Sequence, residues 1–292
     1  MSSPGSDDRD RIAALRQAYV DACLDELAAL KPGNVHRHAA GHGMSVEDFR
    51  VSARVSAMPL AVAGSSVGSR ILGAVRATQE AVGCNTNLGI VLLAAPLLAA
   101  AEAAPADGLR PSLARVLAGL TIADAAAAYE AIRLASPAGL GRVAEQDAAA
   151  DPSIDLRGAM ALAAERDLIA RQYVTDYAAV FDIGVARLGI ETARGTAREW
   201  AISHVHMDFL AAFPDSHIAR KHGAEAAETV RAEAAAVVAT LAHSDENGQH
   251  AALLELDRSL KERGFNPGTT ADLTVASLLA FACENILGRQ PS

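Results

Sequence analysis

Lysine is nearly missing from this chain: Lys31, Lys221 and Lys261 are all it has, and the other 23 of its 26 basic residues are arginines. Aromatic residues are scarce too, at 4%. That argues against a β-sandwich, which draws on Tyr, Phe, Trp and Thr. Cys23, Cys84 and Cys283 stand far apart with no Cys-x-x-Cys pair. Reduced thiols in a cytoplasmic protein are therefore expected, not a disulfide framework. No basic surplus is present, the formal net charge being −9, and this excludes a generic nucleic-acid binder. The longest apolar stretch, Leu88 to Ala101, is broken by Pro96 and falls short of the ~20 residues that span a bilayer. It is expected to be a buried core helix. The polar start, Met1 to Arg11, has no signal-peptide core, and no membrane association is expected.

What the chain has is Ala, Leu, Val and Ile within a hydrophobic half, 51% of its 292 residues. Alanine and leucine favour helices, and no segment alternates with a period of two. The expected fold is all-α: one compact multi-helix bundle over residues 1–292, with 1–8 disordered. Apolar spacing predicts a first helix from Asp8 to Leu30, stopped by Lys31-Pro32-Gly33. Ser45 reads as an N-cap for a helix from Val46. Further helices are expected over Val67–Val82, from Asn87 onward, and over Ile122–Leu134. Others follow over Ile154–Val180, Thr192–Phe213, Glu225–His243, Ala251–Arg263 and Thr270–Leu287. Loops are expected at Ala104–Pro111, Ser136–Gly141 and Asp147–Pro152. Ala-rich helices would suit a homodimer.

Five polar clusters exceed what such a bundle needs. Lys31-Pro32-Gly33-Asn34-Val35 runs on to His36, Arg37, His38 and His42. The histidines raise the possibility of zinc, but no His-Glu-x-x-His accompanies them, and the metal stays unassigned. Gly83-Cys84-Asn85-Thr86-Asn87-Leu88-Gly89 places amides and a hydroxyl at a helix N-terminus, where free N–H groups suit an anion. Arg166-Asp167-Leu168-Ile169-Ala170-Arg171-Gln172-Tyr173 is read inside a helix, with Asp167 and Arg171 four apart on one face. Asp215-Ser216-His217-Ile218-Ala219-Arg220-Lys221-His222-Gly223 is a basic patch in an acidic chain, suited either to a surface loop or to a triphosphate. Asn266-Pro267-Gly268-Thr269-Thr270-Ala271-Asp272 is a turn and helix start, with Thr269 and Asp272 approximating a capping box.

Taken together and in order, these motifs resemble the triphosphoribosyl-dephospho-coenzyme A synthase family. They span residues 31 to 273. The resemblance implies an all-helical fold and a reaction in which ATP loses adenine and its triphosphoribosyl group passes to the ribose 2′-hydroxyl of dephospho-coenzyme A. Asn87 stands where lyase-associated members carry histidine, and His42-Gly43-Met44 lacks their following Asp. In these features the chain looks more like a branch tied to methanopterin- or methylofuran-type one-carbon cofactors. A related transferase of that pathway, a glycohydrolase, and a non-catalytic nucleotide-binding helical protein are the alternatives.

Displacing adenine needs an oriented acceptor hydroxyl, proton transfer and charge stabilisation. The expected triphosphate ligands are Lys31, Arg220 and Lys221, with Mg²⁺. Asn85 and Thr86 are expected to bind ribose or phosphate. Asn34, Arg166, Arg171 and Thr270 complete the expected ATP-binding set. Asp167, Asp215 and Asp272 are the candidates for base or Mg²⁺ ligand, with no choice among them. The partners expected are ATP and a dephospho-CoA-like acceptor.

Overall fold

The computed structural model describes residues 6–35, 45–103, 106–135, 152–241 and 243–288. Fourteen α-helices and no strand occur among them. They are α1 (Ser6–Ala28), α2 (Val46–Leu60), α3 (Val67–Val82), α4 (Leu88–Glu102), α5 (Leu109–Ala118), α6 (Ile122–Ala135) and α7 (Leu156–Ala161), followed by α8 (Leu168–Val174). A π-helical stretch, Val180–Val185, leads into α9 (Ala186–Arg194). Then come α10 (Arg198–Ala212), α11 (Ser216–His222), α12 (Ala224–Leu241), α13 (Glu246–Glu262) and α14 (Gly268–Gly288).

The α14 helix is the axis. It packs against α1, α4, α10 and the π-helical stretch, and more lightly against α5, α8 and α11. Its length and apolar content would suffice to cross a membrane. Those apolar side chains are instead core: Leu273, Val275, Ala276, Leu278, Leu279 and Ala280 are buried in the main hydrophobic cluster. A smaller apolar cluster joins α10, α11, α12 and α13 through Met207, Leu210, Ile218, Val230, Leu253 and Leu260. Small residues permit close crossings. A Cβ on Gly184 would lie 2.0 Å from the Ser277 hydroxyl, so glycine lets the π-helical stretch lie directly on α14.

Proline shapes α4. Pro96 has no N–H to give the carbonyl one turn back and crowds it, which leaves backbone acceptors of the buried Leu92–Leu93 turn in need of donors. Two buried tyrosines supply them: the Tyr173 hydroxyl donates to Leu92 O at 2.6 Å and the Tyr177 hydroxyl to Leu93 O at 3.1 Å. To deliver the second, Asp176 and Tyr177 adopt left-handed backbone, φ 50° and 58°, a conformation that costs about 1–3 kcal/mol for a residue with a side chain.

That turn corrects one expectation. Ile154–Val180 is not a single long helix: it breaks after α7 and again after α8. Asp167 therefore sits at the start of α8 as its N-cap, not mid-helix beside Arg171. Thr192–Phe213 also breaks, at Gly195, whose φ of 71° closes α9. The loop expected at Ala104–Pro111 ends early, because α5 begins at Leu109. The α1 helix begins at Ser6, inside the stretch expected to be disordered. Ser45 caps α2 through a full capping box with Asp48, and Gly83 closes α3 in left-handed conformation. The turn at 136–141 and the loop at 147–151 lie outside the described residues, as do His36, Arg37, His38 and His42.

Candidate active site

The end of α1 and the residues after it build one wall. Lys31 is fully buried. Its ammonium donates to Glu26 Oε1 at 2.5 Å, Val35 O at 2.7 Å and Asn34 Oδ1 at 3.1 Å. An ammonium has three N–H donors, so all are committed. Burial pulls the Lys31 pKa down, and the Glu26 carboxylate opposes that shift. In this arrangement Lys31 ties the loop to Glu26. Asn34 passes the connection on, donating to Asn266 Oδ1 at 2.8 Å. Gly33 N–H reaches Asp257 Oδ1 at 2.9 Å, and Asp257 also pairs with Lys261 at 2.9 Å. Gly33 has φ +80°, and a Cβ there would press on Pro267 and Leu260. The first and fifth clusters thus meet.

Asp215 is likewise structural. Its Oδ1 accepts from His217 N–H (2.8 Å) and Ile218 N–H (3.0 Å), as the N-cap of α11. Its Oδ2 accepts both the N–H and the hydroxyl of Thr270, each at 2.8 Å. Burial pushes its pKa up, and these four donors offset the rise. Both Asp215 oxygens are in use, and the Thr270 hydroxyl spends its hydrogen on one of them. The start of α14 is capped from α11, not by a Thr269–Asp272 box. The fourth cluster is accordingly a capped helix, not a surface loop.

Asp167 has one oxygen of each kind. Oδ1 caps α8 by accepting from Ile169 and Ala170 N–H, at 2.9 and 3.1 Å. Oδ2 pairs with Arg220 Nη1 at 2.9 Å. The Ser216 hydroxyl accepts from Leu168 N–H at 2.9 Å and binds the α8 and α11 starts together.

Asp272 differs from the other two acids. Among the described residues its carboxylate accepts no hydrogen bond. It lies against Gly89 in the first turn of α4, where a Cβ would stand 2.1 Å from its Oδ2. Burial raises its pKa well above the usual carboxylate range. The neighbouring charges of Asp215, Glu26 and Asp167 raise it further, and Arg220 opposes them. Asp272 is thus the point at which the five clusters converge electrostatically or sterically.

Other expected residues are less tightly placed. Asn85 is exposed and caps Leu88 N–H at 3.1 Å, so it serves the α4 start itself. Thr86 donates to the Ser52 hydroxyl at 2.6 Å and so faces α2. Arg171 stacks over the Phe213 ring at 5.7 Å. Arg166 and Lys221 are exposed. Sequence reasoning missed Glu26, which carried no signal beyond a helical acid five residues from Lys31. It quoted Asn266 without a task, and it read Gly89 as room for a ligand near the backbone, where the structure puts the Asp272 carboxylate.

The sequence model of the family described as CitG, ATP:dephospho-CoA triphosphoribosyl transferase, matches residues 12–291. The chain belongs to this family. A CitG-family assignment makes it a transferase and agrees with the all-helical fold. A crystal structure from Archaeoglobus fulgidus, titled as a candidate triphosphoribosyl-dephospho-CoA synthase, superposes with a TM-score of 0.62 at 25% identity. It covers 80% of this chain and 97% of that one. Comparison with curated proteins gives no match.

The clustered residues divide into two sets by their bonds. Lys31, Asn34, Asn266, Asp257, Asp215 and Thr270 bond to other parts of the chain. Asp167 and Arg220 pair with each other, and Asp272 accepts no hydrogen bond among the described residues.

Proposed function

We propose that this chain moves the 5-triphosphoribosyl group of ATP to a ribose hydroxyl of dephospho-CoA, with release of adenine, at the cluster around Asp272. The observation that carries this reading is the Asp272 carboxyl in the space left by Gly89, accepting no hydrogen bond among the described residues. A carboxyl whose pKa is pushed up by burial and like charges is suited to act as a general acid. As the C1′–N9 bond of ATP breaks, Asp272 gives its proton to the leaving adenine. The resulting carboxylate recovers a proton from the attacking hydroxyl, so the transfer is balanced. The new carboxylate charge also lies beside the cationic sugar as it forms, which favours that state.

Arg220 is the first candidate for the triphosphate, with Lys221 beside it on α11. A phosphate oxygen would take Arg220 from Asp167, since bidentate phosphate recognition is the habit of arginine. Magnesium usually binds one or two carboxylates plus substrate phosphates. The Asp167 carboxylate, released from Arg220 by a phosphate, fits that pattern, and the ion would neutralise phosphate charge. Use of ATP and a coenzyme A precursor supports a cytoplasmic reaction.

The test is chromatography of free adenine after incubation with ATP and dephospho-CoA. Adenine with that acceptor supports the reading. Adenine only with a pterin or furan precursor moves the chain to the one-carbon cofactor branch. Adenine without any acceptor marks a glycohydrolase, and no adenine at all defeats catalysis of this kind.

A further inference from the structure

A second polar cluster joins α9, α10 and α13. Glu191 of α9 is 2% exposed and centres it. Its Oε2 accepts from the Thr196 hydroxyl at 2.6 Å, and its Oε1 lies 3.1 Å from His204 Nδ1 on α10. Arg187 reaches the same Oε1 at 3.4 Å and forks onto Asp208 at 2.6 and 3.0 Å, while Arg194 stands 3.8 Å away. Burial works against the Glu191 charge. The Thr196 hydroxyl and the charge of His204 outweigh it and hold the Glu191 pKa below the usual carboxylate value.

The far side of His204 is decided by an amide. Its Nε2 lies 3.4 Å from Gln249 Oε1 in α13. Gln249 Nε2 donates to Leu241 O at 3.1 Å and to Ser244 O at 3.2 Å. Turning the amide over would set its oxygen against two carbonyls, so the oxygen stays on the histidine. Both ring nitrogens therefore face acceptors. A neutral imidazole has one N–H and can serve one of them, whereas the imidazolium donates to both. Charges on the other elements packed against α10 are engaged elsewhere. Asp25 of α1 is spent on Arg198, Glu228 of α12 on Arg231, and Asp182 of the π-helical stretch on Arg110. On α14, Asp272 rests on Gly89 and Glu284 lies in the field of Arg110. On α13, Asp245 caps Gly248 N–H, and His250 faces Trp200.

We infer that His204 is a proton-dependent clasp, which when doubly protonated bonds Glu191 and Gln249 and fastens the start of α13 to α9 and α10. When the Nε2 proton passes to solvent, Nδ1–H stays on Glu191 and a lone pair is left facing the Gln249 oxygen, so α13 is released. Histidine is the side chain that ordinarily changes charge between pH 5 and 8. The clasp is closed on the acid side of that change and open on the alkaline side. The helix it holds also carries Asp257, which receives Gly33 N–H in the wall of the candidate site.

Trp200 is the one tryptophan of the chain, and its ring lies 6.1 Å from that of His204 and 6.1 Å from that of His250. A cation beside an indole interacts with its π face and alters its emission. The experiment follows Trp200 fluorescence from pH 5 to 9 in His250→Gln, which leaves His204 as the imidazole beside the indole. A pH step is expected there, and adding His204→Gln is expected to remove it. Hydrogen exchange at residues 244–252, corrected for the intrinsic rate, is measured in the unaltered protein over the same range. Protection is expected to fall about tenfold across the step, the order of one hydrogen bond to a charged group. Gln249→Met keeps the histidine and removes its second acceptor, and protection at this segment is expected to be low at every pH. Absence of a step in His250→Gln, or a step that persists when His204→Gln is added, overturns the inference. So does protection in the unaltered protein that is the same at both ends of the range. These measurements need no turnover, so failure of the transferase reading leaves them decisive.

Discussion

Gly89 leaves open, in the first turn of α4, the volume that the carboxylate of Asp272 fills from the start of α14. A methyl group at position 89 would stand 2.1 Å from Asp272 Oδ2 and 2.8 Å from Ile169 Cδ1. Alanine is the better helix former by roughly 0.5–1 kcal/mol, so the backbone tolerates it. Gly89→Ala is expected to cut adenine release at least tenfold by displacing Asp272, with the melting temperature changed by a few degrees at most. Activity assays paired with thermal melts check this. Full activity would separate Asp272 from the chemistry.

Asp272→Asn keeps the shape and removes the proton donor. Loss of a general acid is expected to lower kcat by ~10²–10⁴. The same variant reports on stability. Folded Asp272 holds its proton more tightly than the unfolded chain does, so the native state binds more protons and stability falls as pH rises. The contribution is complete below the unfolded value of about 3.9 and is lost as pH climbs through the raised folded value. Melting curves from pH 4 upward should therefore decline more steeply for the unaltered protein than for Asp272→Asn.

Lys31 and Glu26 form a buried pair. Breaking such a pair strands a charge, at a cost of about 3–5 kcal/mol. Lys31→Met is expected to shift denaturant unfolding by that order, and Glu26→Gln combined with Lys31→Met should regain much of it. Unaltered stability in Lys31→Met, together with weakened ATP binding, would return the lysine to the phosphate site.

Arg220 is exposed by 52% at its side chain, and its pairing with Asp167 contributes only ~0–1 kcal/mol. Arg220→Ala should barely move the melting temperature and should raise the KM for ATP at least tenfold. Lys221→Ala is expected to weaken ATP binding by the same factor. Titration of ATP against each variant decides, and an unchanged affinity takes that residue out of the site.

The helical class and several boundaries could be read directly from residues. Ser45 and Gly83 are local signals whose geometry needs no distant partner. The breaks around α8 could not be read that way. Nothing in Asp155 to Val180 is a strong local breaker apart from Gly158, and the turn at Asp176–Tyr177 answers carbonyls exposed by Pro96 in another helix. The same limit applied to the acids. Asp167, Asp215 and Asp272 are alike as letters. Two are distinguished by whose N–H groups they receive, and the third by a glycine nearly two hundred residues earlier. The partner of Lys31 could not be read either: a rare cation in a polar loop suggests a ligand, and Glu26 is one acid among several along a helix.

The phenol groups of Tyr173 and Tyr177 bear on α4 from the side, one residue apart along its carbonyl row. Tyr173 belongs to the same short helix that Asp167 opens. Asn87 and Gly89 stand at the other end of the helix those phenols grip. A nucleotide that drew Arg220 off Asp167 would disturb the cap of the short helix that carries Tyr173, and through that phenol the rod on which the reactive carboxyl is seated. Tyr173→Phe would cut that tie without touching the phosphate.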